Sequence, residues 1–291
     1  MEIRVLRYFL ETAREGNMTR AAERLFISQP TMSKQLKELE EELNTKLFIR
    51  SNYSIRLTEA GMLLRERAED ILSLVDKTEA EFKSLEEVNS GDIYVGAPES
   101  ESMTLFAEVV RELQKNYPKI RCNIYSGDLE SVCDRLDKGL LDFAIVMSYV
   151  DLSKYNYLKM PAKDSWGLVM RKDDPLAGKT SFTVSELKGL PLICSKQWTG
   201  QEFPQWFGLS TGEANIIATY NLAYNGSVMA KTGMGYAIIL DHLIDTGESS
   251  GLVFVPLSGV PELEMYVIWR KYQTFTPIAE RLMNMLQARF Q

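Results

Sequence analysis

The chain carries one histidine, His242, and only three cysteines, Cys122, Cys133 and Cys194, among 291 residues. Metal sites built on two histidines are excluded, and no Cys-x-x-Cys pair stands in for them. The odd cysteine count, without an export signal, reads as reduced core residues rather than redox centres. His242 follows the apolar run Ala237-Ile238-Ile239-Leu240, and no G-x-S-x-G elbow accompanies it, so it reads as a loop or helix-start histidine. No phosphate loop and no G-x-G-x-x-G is present; Gly233-x-Gly235 opens a strand rather than a helix. No apolar run nears the roughly 18 residues of a membrane span. The N-terminus lacks a signal peptide's layout, because charges recur at Arg4, Arg7, Glu11 and Arg14. These absences lead to the expectation of a cytoplasmic protein without membrane contact, metal or cofactor.

What is present is an ordinary globular composition, 45% hydrophobic and 25% charged. The length suffices for two or more domains, each burying its own core. The formal net charge of -7 argues against a nucleic-acid binder when taken alone. It is unevenly spread: residues 1–58 carry +2 and the rest carry -9. Within the first segment, Glu38, Glu40, Glu41 and Glu42 crowd one helix end, which leaves the remainder basic. An acidic protein still grips phosphate where its basic groups share a face.

Residues 1–58 read as helices with caps. Ile3, Leu6, Phe9, Leu10 and Ala13 recur at helical spacing, and Gly16 ends that helix. Asn17 caps a helix from Thr19 to Leu25, with Ala21, Ala22 and Leu25 on its apolar side. Phe26-Ile27 is a tight connection. Ser28 then caps a third helix, with Pro30 in the first turn, where a missing N–H costs nothing. Met32, Leu36, Leu39 and Leu43 face inward, so Gln29, Thr31, Ser33, Lys34 and Lys37 fall on the remaining surface. Two helices joined by a short turn, with a small-polar and basic outer face, form a helix-turn-helix pattern. Leu47 to Leu57 reads as a hairpin wing carrying Arg50 and Arg56.

Residues 58–90 read as one long helix capped by Thr58. Leu64, Ala68, Ile71, Val75, Thr78, Phe82 and Leu85 are spaced 4,3,4,3,4,3, a seam that predicts pairing with a second helix. Beyond it, strand and helix alternate. Strands are predicted at 92–96, 122–125 and 143–147, with helices at 103–116 and 129–138, giving a mainly parallel sheet. A second set has strands at 166–171, 192–194, 216–219, 235–240 and 265–270, helices at 184–187 and 222–231, and a closing helix at 277–290. Two α/β lobes with chain crossings make a cleft suited to a small ligand.

The stretch Asn17-Met18-Thr19-Arg20-Ala21-Ala22-Glu23-Arg24-Leu25, followed by Ile27-Ser28-Gln29-Pro30-Thr31-Met32-Ser33-Lys34-Gln35-Leu36, resembles the LysR-type transcriptional regulators. The likeness continues through Leu39–Leu43, Leu47–Arg50 and Leu57–Gly61. It extends more loosely to Leu140–Ile145 and Gly233–Leu240. It implies an α+β chain: a winged helix-turn-helix over 1–58, a dimerising linker helix over 59–90, and a two-lobed effector domain like that of periplasmic binding proteins. Lobe I takes 91–163 with 266–291, and lobe II takes 164–265. It further implies a homotetramer, a dimer of dimers, on double-stranded promoter DNA with dyad-symmetric half-sites. A small effector then changes DNA bending and the access of RNA polymerase.

Site residues follow. Gln29, Pro30, Ser33 and Lys34 match the family's recognition-helix contacts. Gln29 and Lys34 suit base edges, and Thr31 offers a methyl to thymine. Ser33, Arg50 and Arg56 suit phosphates; the alternative for this face is a solvated polar surface. Ser100 and Ser102, at the start of a helix, suit an anion or a simple cap. Ser126, Met147, Ser195, Gln197, Trp198 and Asn225 are placed at strand ends or adjoining loops facing the cleft, and Trp166, Trp198 and Tyr149 either wall the pocket or, as aromatics there more often do, pack the lobes. Alternation along an extended 99–102 segment turns the serines to the cleft and Glu99 and Glu101 away. The expected effector is thus a small organic anion, with or without an amino group. The competing readings are an enzyme on the α/β lobes with an appended DNA-binding domain, and a transport binding protein.

Overall fold

The computed structural model describes residues 1–50, 54–86, 90–147, 150–196 and 213–291; for Arg50 and residues 84–86 the description covers the backbone only. It divides into two compact units, Met1–Lys83 and Ser84–Gln291. Among the described residues no helix is long and apolar enough to cross a membrane.

In the first unit, α1 (Ile3–Glu15) stops at Gly16, whose φ of 58° is left-handed and whose N–H donates to the Thr12 carbonyl. The Asn17 side chain caps α2 (Met18–Arg24) by accepting from the Thr19 and Arg20 N–H groups. Ser28 caps α3 (Gln29–Glu42) by accepting from the Thr31 N–H. The wing is β1 (Phe48–Arg50) paired antiparallel with β2 (Ile55–Leu57). Thr58 accepts from the Gly61 N–H and starts α4 (Glu59–Glu86). Gly61 is required there, because a Cβ would lie 2.2 Å from the Leu47 carbonyl oxygen. Leu6, Phe9, Met32, Leu36, Leu39, Leu47 and Phe48 form the core. Leu43, predicted inward, is 39% exposed because it lies at the C-cap of α3, past the last core turn.

Glu40 belongs to an acidic run by sequence, yet it is 3% exposed. Its Oε1 accepts from the N–H groups of Leu47 (2.9 Å) and Phe48 (3.2 Å), and Lys46 lies 3.1 Å from Oε2. Burial pushes this carboxyl up, but those N–H groups and the Lys46 ammonium outweigh it and hold the pKa below the ordinary value. The residue ties α3 to the root of the wing.

Three of the seven residues of the predicted helix-pairing seam, Leu64, Ala68 and Ile71, are taken up within this unit. Ala68 and Leu72 are buried in its core, with Ala60, Leu64 and Ile71 packed against it. Met62, Leu63, Leu74 and Phe82 are left exposed.

The second unit is two lobes. The lobe I sheet runs in the order β4 (Lys119–Ser126), β3 (Ser90–Ala97), β5 (Phe143–Met147), β13 (Leu263–Arg270), β6 (Tyr155–Asp164). Helices α5 (Met103–Asn116) and α8 (Pro277–Phe290) share one hydrophobic cluster with it, and α6 (Leu129–Asp137) shares another. The lobe II sheet runs β10 (Ile216–Tyr220), β9 (Leu192–Ser195), β11 (Tyr236–Leu240), β7 (Trp166–Arg171), β12 (Leu252–Ser258), β8 (Phe182–Thr183), with α7 (Ala223–Lys231) beside it. Both sheets are mixed rather than mainly parallel. In lobe I, β3 runs parallel to β4 and β5, whereas β13 is antiparallel to β5 and β6. The cause is the return path, since β13 comes back from lobe II and enters from the far end. Leu263 pairs with Asp164 in the lobe I sheet, so the boundaries expected at 163/164 and 265/266 fall inside strands.

His242 sits exposed in a turn with φ of 62°. Burial pushes the Cys122 and Cys194 thiols up to about 11, and raises Cys133 as well, so all three stay protonated near neutrality.

Candidate nucleic-acid interface and inter-lobe cavity

The caps at Ser28 and Pro30 set the phase of α3. Met32, Leu36 and Leu39 point into the core, while Pro30, Thr31, Lys34, Lys37, Glu38 and Glu41 are exposed. This outer face is neutral and basic at its start and acidic at its end. Lys34 lies 3.8 Å from Glu38, and Lys37 lies 3.4 Å from Glu41. Thr31 is exposed, its Oγ1 2.7 Å from the Ser28 hydroxyl. Gln29 is half-buried, with Nε2 3.5 Å from the Met18 sulfur, and Ser33 is half-buried too. On the wing, Arg56 is exposed opposite Ile49, and Arg50 ends β1 opposite Ile55. One feature of this surface escapes the sequence pattern. Phe26 is 95% exposed, with a φ of 55°, between α2 and α3.

In the second unit, a recess of about 620 Å³, open to solvent, lies between the lobes. Its lining follows the carboxyl ends of strands: Pro98 and Glu99 after β3, Gly127 and Asp128 after β4, Met147 ending β5, Ser195 ending β9, Tyr220 ending β10 with Asn221 and Leu222 after it, and Leu240 ending β11 with Leu243 after it. Open α/β sheets place ligand sites at this end. Trp166 and Ala223 complete the wall. A second recess of about 350 Å³ shares Pro98, Gly127, Asp128 and Met147 and adds the apolar Leu129, Val132, Ile145 and Val146. Gly226 lets α7 approach the Tyr220 ring, since a Cβ there would come within 2.6 Å of it. The Tyr220 hydroxyl donates to the Ile238 carbonyl at 2.5 Å.

Of the residues expected in this cleft, Met147, Ser195 and Trp166 line it. Gln197, Trp198 and Tyr149 lie outside the described residues. Ser126 and Asn225 are exposed and do not line the recess. Ser100 and Ser102 do not line it either; they are 7% and 6% exposed, and their hydroxyls donate to the two carboxylate oxygens of Asp164, at 2.5 and 2.8 Å. Ser102 makes no side-chain cap to α5. The alternation expected over 99–102 fails because residues 100–102 already form the turn leading into α5. Glu99, expected to face away, lines the cavity, while Glu101 is exposed. The grounds for an anionic effector fall with that arrangement.

Glu99 also performs a task that no local residue does. Helix α7 begins after Leu222, whose side chain has no acceptor, and no local side chain caps it. The Glu99 carboxylate, from lobe I, accepts from the Ala223 N–H at 2.6 Å and supplies the cap across the cleft. The missing cap at Leu222 was the sequence signal for such a partner.

A winged helix-turn-helix and a two-lobed domain with a cleft, on one chain, are the architecture of DNA-binding regulators. Residues 3–62 match the bacterial regulatory helix-turn-helix protein of the lysR family, and residues 86–291 match the LysR substrate binding domain. The chain belongs to the LysR family of transcriptional regulators. It is similar to the HTH-type transcriptional regulator YtlI of Bacillus subtilis (strain 168), 33% identical over 187 residues that span 64% of this chain and 60% of YtlI, less than two thirds of that protein's length. The Hca operon transcriptional activator HcaR of Escherichia coli (strain K12) is 25% identical over 278 residues, 93% of this chain and 92% of HcaR. The fold matches the crystal structure of CbnR, a LysR family transcriptional regulator, with a TM-score of 0.78 at 19% identity over 100% of both chains. It also matches full-length CbnR complexed with its target DNA, with a TM-score of 0.76 at 20% identity over 99% of this chain and 100% of CbnR.

Proposed function

We propose that this chain binds double-stranded promoter DNA through α3 and the wing, and that a small organic effector in the inter-lobe cleft adjusts that binding. The observation that carries the reading is the joining of an outward, basic first half of α3 with a recess ringed by strand carboxyl ends. The DNA-bound CbnR structure supports the same use of the first unit. In this reading Gln29 and Lys34 meet base edges and Thr31 meets a thymine methyl, with Pro30 setting the first turn. Ser33, Arg50 and Arg56 hold phosphates. The acidic end of α3 turns away from the duplex, which orients the helix with its N-terminal turns in the groove.

Assembly as a dimer of dimers, in the cytoplasm, completes the reading, with RNA polymerase as the protein that senses the altered promoter. The proposed helix pairing uses the half of α4 left free by its own unit, around Leu74, Val75 and Phe82. Gel-shift titration on the DNA flanking the chain's own gene tests the whole. Specific binding that shifts in a Leu243→Trp variant, which fills the recess, is the expected result. Failure to prefer that DNA over random duplex removes the DNA reading, and identical affinity in the variant removes the coupling to the cleft.

A further inference from the structure

We propose that the effector of this chain is a small organic cation, an amine with an apolar body, held with its ammonium toward Glu99 and Asp128. This rests on the cleft being the effector site. The cavity has two charged side chains in its described lining, and both are acids. Each uses one oxygen on a backbone N–H: Glu99 Oε2 on Ala223, and Asp128 Oδ1 on Ser131, where it caps α6. Among the described residues the other oxygen of each has no hydrogen-bond partner. The two carboxylates are therefore anchored in direction and still able to accept.

The sites that would receive an anion are already filled by the chain itself. The N-terminus of α7, the natural anion site of the cleft, holds Glu99. The Ser100 and Ser102 hydroxyls hold Asp164. No lysine, arginine or histidine lines the recess among the described residues, and the segments 148–149 and 197–212 contain none in their sequence. An incoming carboxylate would meet two like charges without a countercharge. An ammonium meets two acceptors, with Trp166 and Tyr220 offering aromatic surface and Leu240 and Leu243 taking the apolar body.

The test uses the full-length chain and matched probes that differ in charge: phenethylamine and phenylacetate, hexylamine and hexanoate, tryptamine and indole acetate. Calorimetric titration is run on the wild type, Glu99→Gln and Asp128→Asn. Both substitutions keep an acceptor for the backbone N–H and remove only the charge, so both helices keep their caps. At least one amine is expected to bind about tenfold or more tighter than its carboxylate partner, a difference of about 1.4 kcal/mol. Each variant should cut that ratio severalfold. Tighter binding of a carboxylate, or a preference unchanged by Glu99→Gln, overturns the cation inference and leaves the cleft as the effector site. Absence of binding by all six probes overturns the inference as well. The promoter affinity of Leu243→Trp then judges the cleft separately: a change retains it as a regulatory site, and no change removes it.

Discussion

Asp164, the last residue of β6, accepts hydrogen bonds from the hydroxyls of both Ser100 and Ser102 with its two carboxylate oxygens. It stands immediately before the chain crosses into lobe II at β7, so the bonds tie the turn after β3 to the crossing point. All three groups are buried, and a buried carboxylate needs such donors.

Asp164→Ala should leave two buried hydroxyls without their acceptor and lower the stability of the second unit by about 2–4 kcal/mol. Urea unfolding should show a lower midpoint with an unchanged slope. Ser100→Ala and Ser102→Ala should each cost about 1–2 kcal/mol, because the carboxylate stays behind. Unchanged midpoints in all three variants would return the serines to ligand binding.

The Glu40 carboxyl titrates lower in the folded chain than in the unfolded one, because the Leu47 and Phe48 N–H groups and the Lys46 ammonium outweigh its burial. Its contribution is thus fully present above the unfolded value of about 4.5 and is lost as pH falls through the lower folded value. Glu40→Gln should cost the first unit about 2 kcal/mol at pH 7 and progressively less in acid. Urea midpoints for both proteins across pH 7 to 3 should therefore converge, and a constant gap would show that the charge is irrelevant.

Phe26 holds a left-handed backbone with its side chain in solvent, so the strain is not offset by packing. Phe26→Asn should stabilise the first unit by about 0.5–1 kcal/mol, since Asn tolerates this conformation. Calorimetry on the full chain reads the effect as a rise in that unit's transition, and a fall would mean the ring has a packing partner.

Lys34→Ala should cost about 1–3 kcal/mol on the preferred promoter and relax selectivity at one base position. Arg56→Ala should weaken all sequences alike and reduce the salt slope by about one unit. Binding-site selection and salt titration separate the two, and two variants with wild-type behaviour would remove the assignment of α3 and the wing.

Leu74 and Phe82 are exposed on α4, 41% and 68% respectively, so replacing them leaves the first unit's core intact. The double variant Leu74→Asp, Phe82→Asp should lower the assembled mass by light scattering while preserving that unit's melting. Full mass in the variant would place the dimer contact elsewhere. Ile71→Asp is a poorer probe, since Ile71 packs against its own core.

The first unit was legible because its determinants are local. Asn17, Ser28 and Thr58 cap helices that begin within one residue of them, and Gly16 closes the helix just before it. The cleft was legible only as a cleft. Met147, Ser195 and Trp166 could be placed from strand ends, but Glu99 could not, since its partner Ala223 is 124 residues away. Nor could the fate of Ser100, whose partner Asp164 is 64 residues away.

Amino-acid order alone thus determined the helices of the first unit, the spacing of its core and the existence of two α/β lobes, because capping and apolar periodicity act within a few residues along the chain. The tertiary structure alone decided the direction of β13, the division of α4 between its own core and a free face, and the acidic lining of the cleft. The first depends on the path by which the chain returns from lobe II, the second on which apolar residues the first unit's core takes up, and the third on which backbone N–H each carboxylate meets; chain order encodes none of these locally.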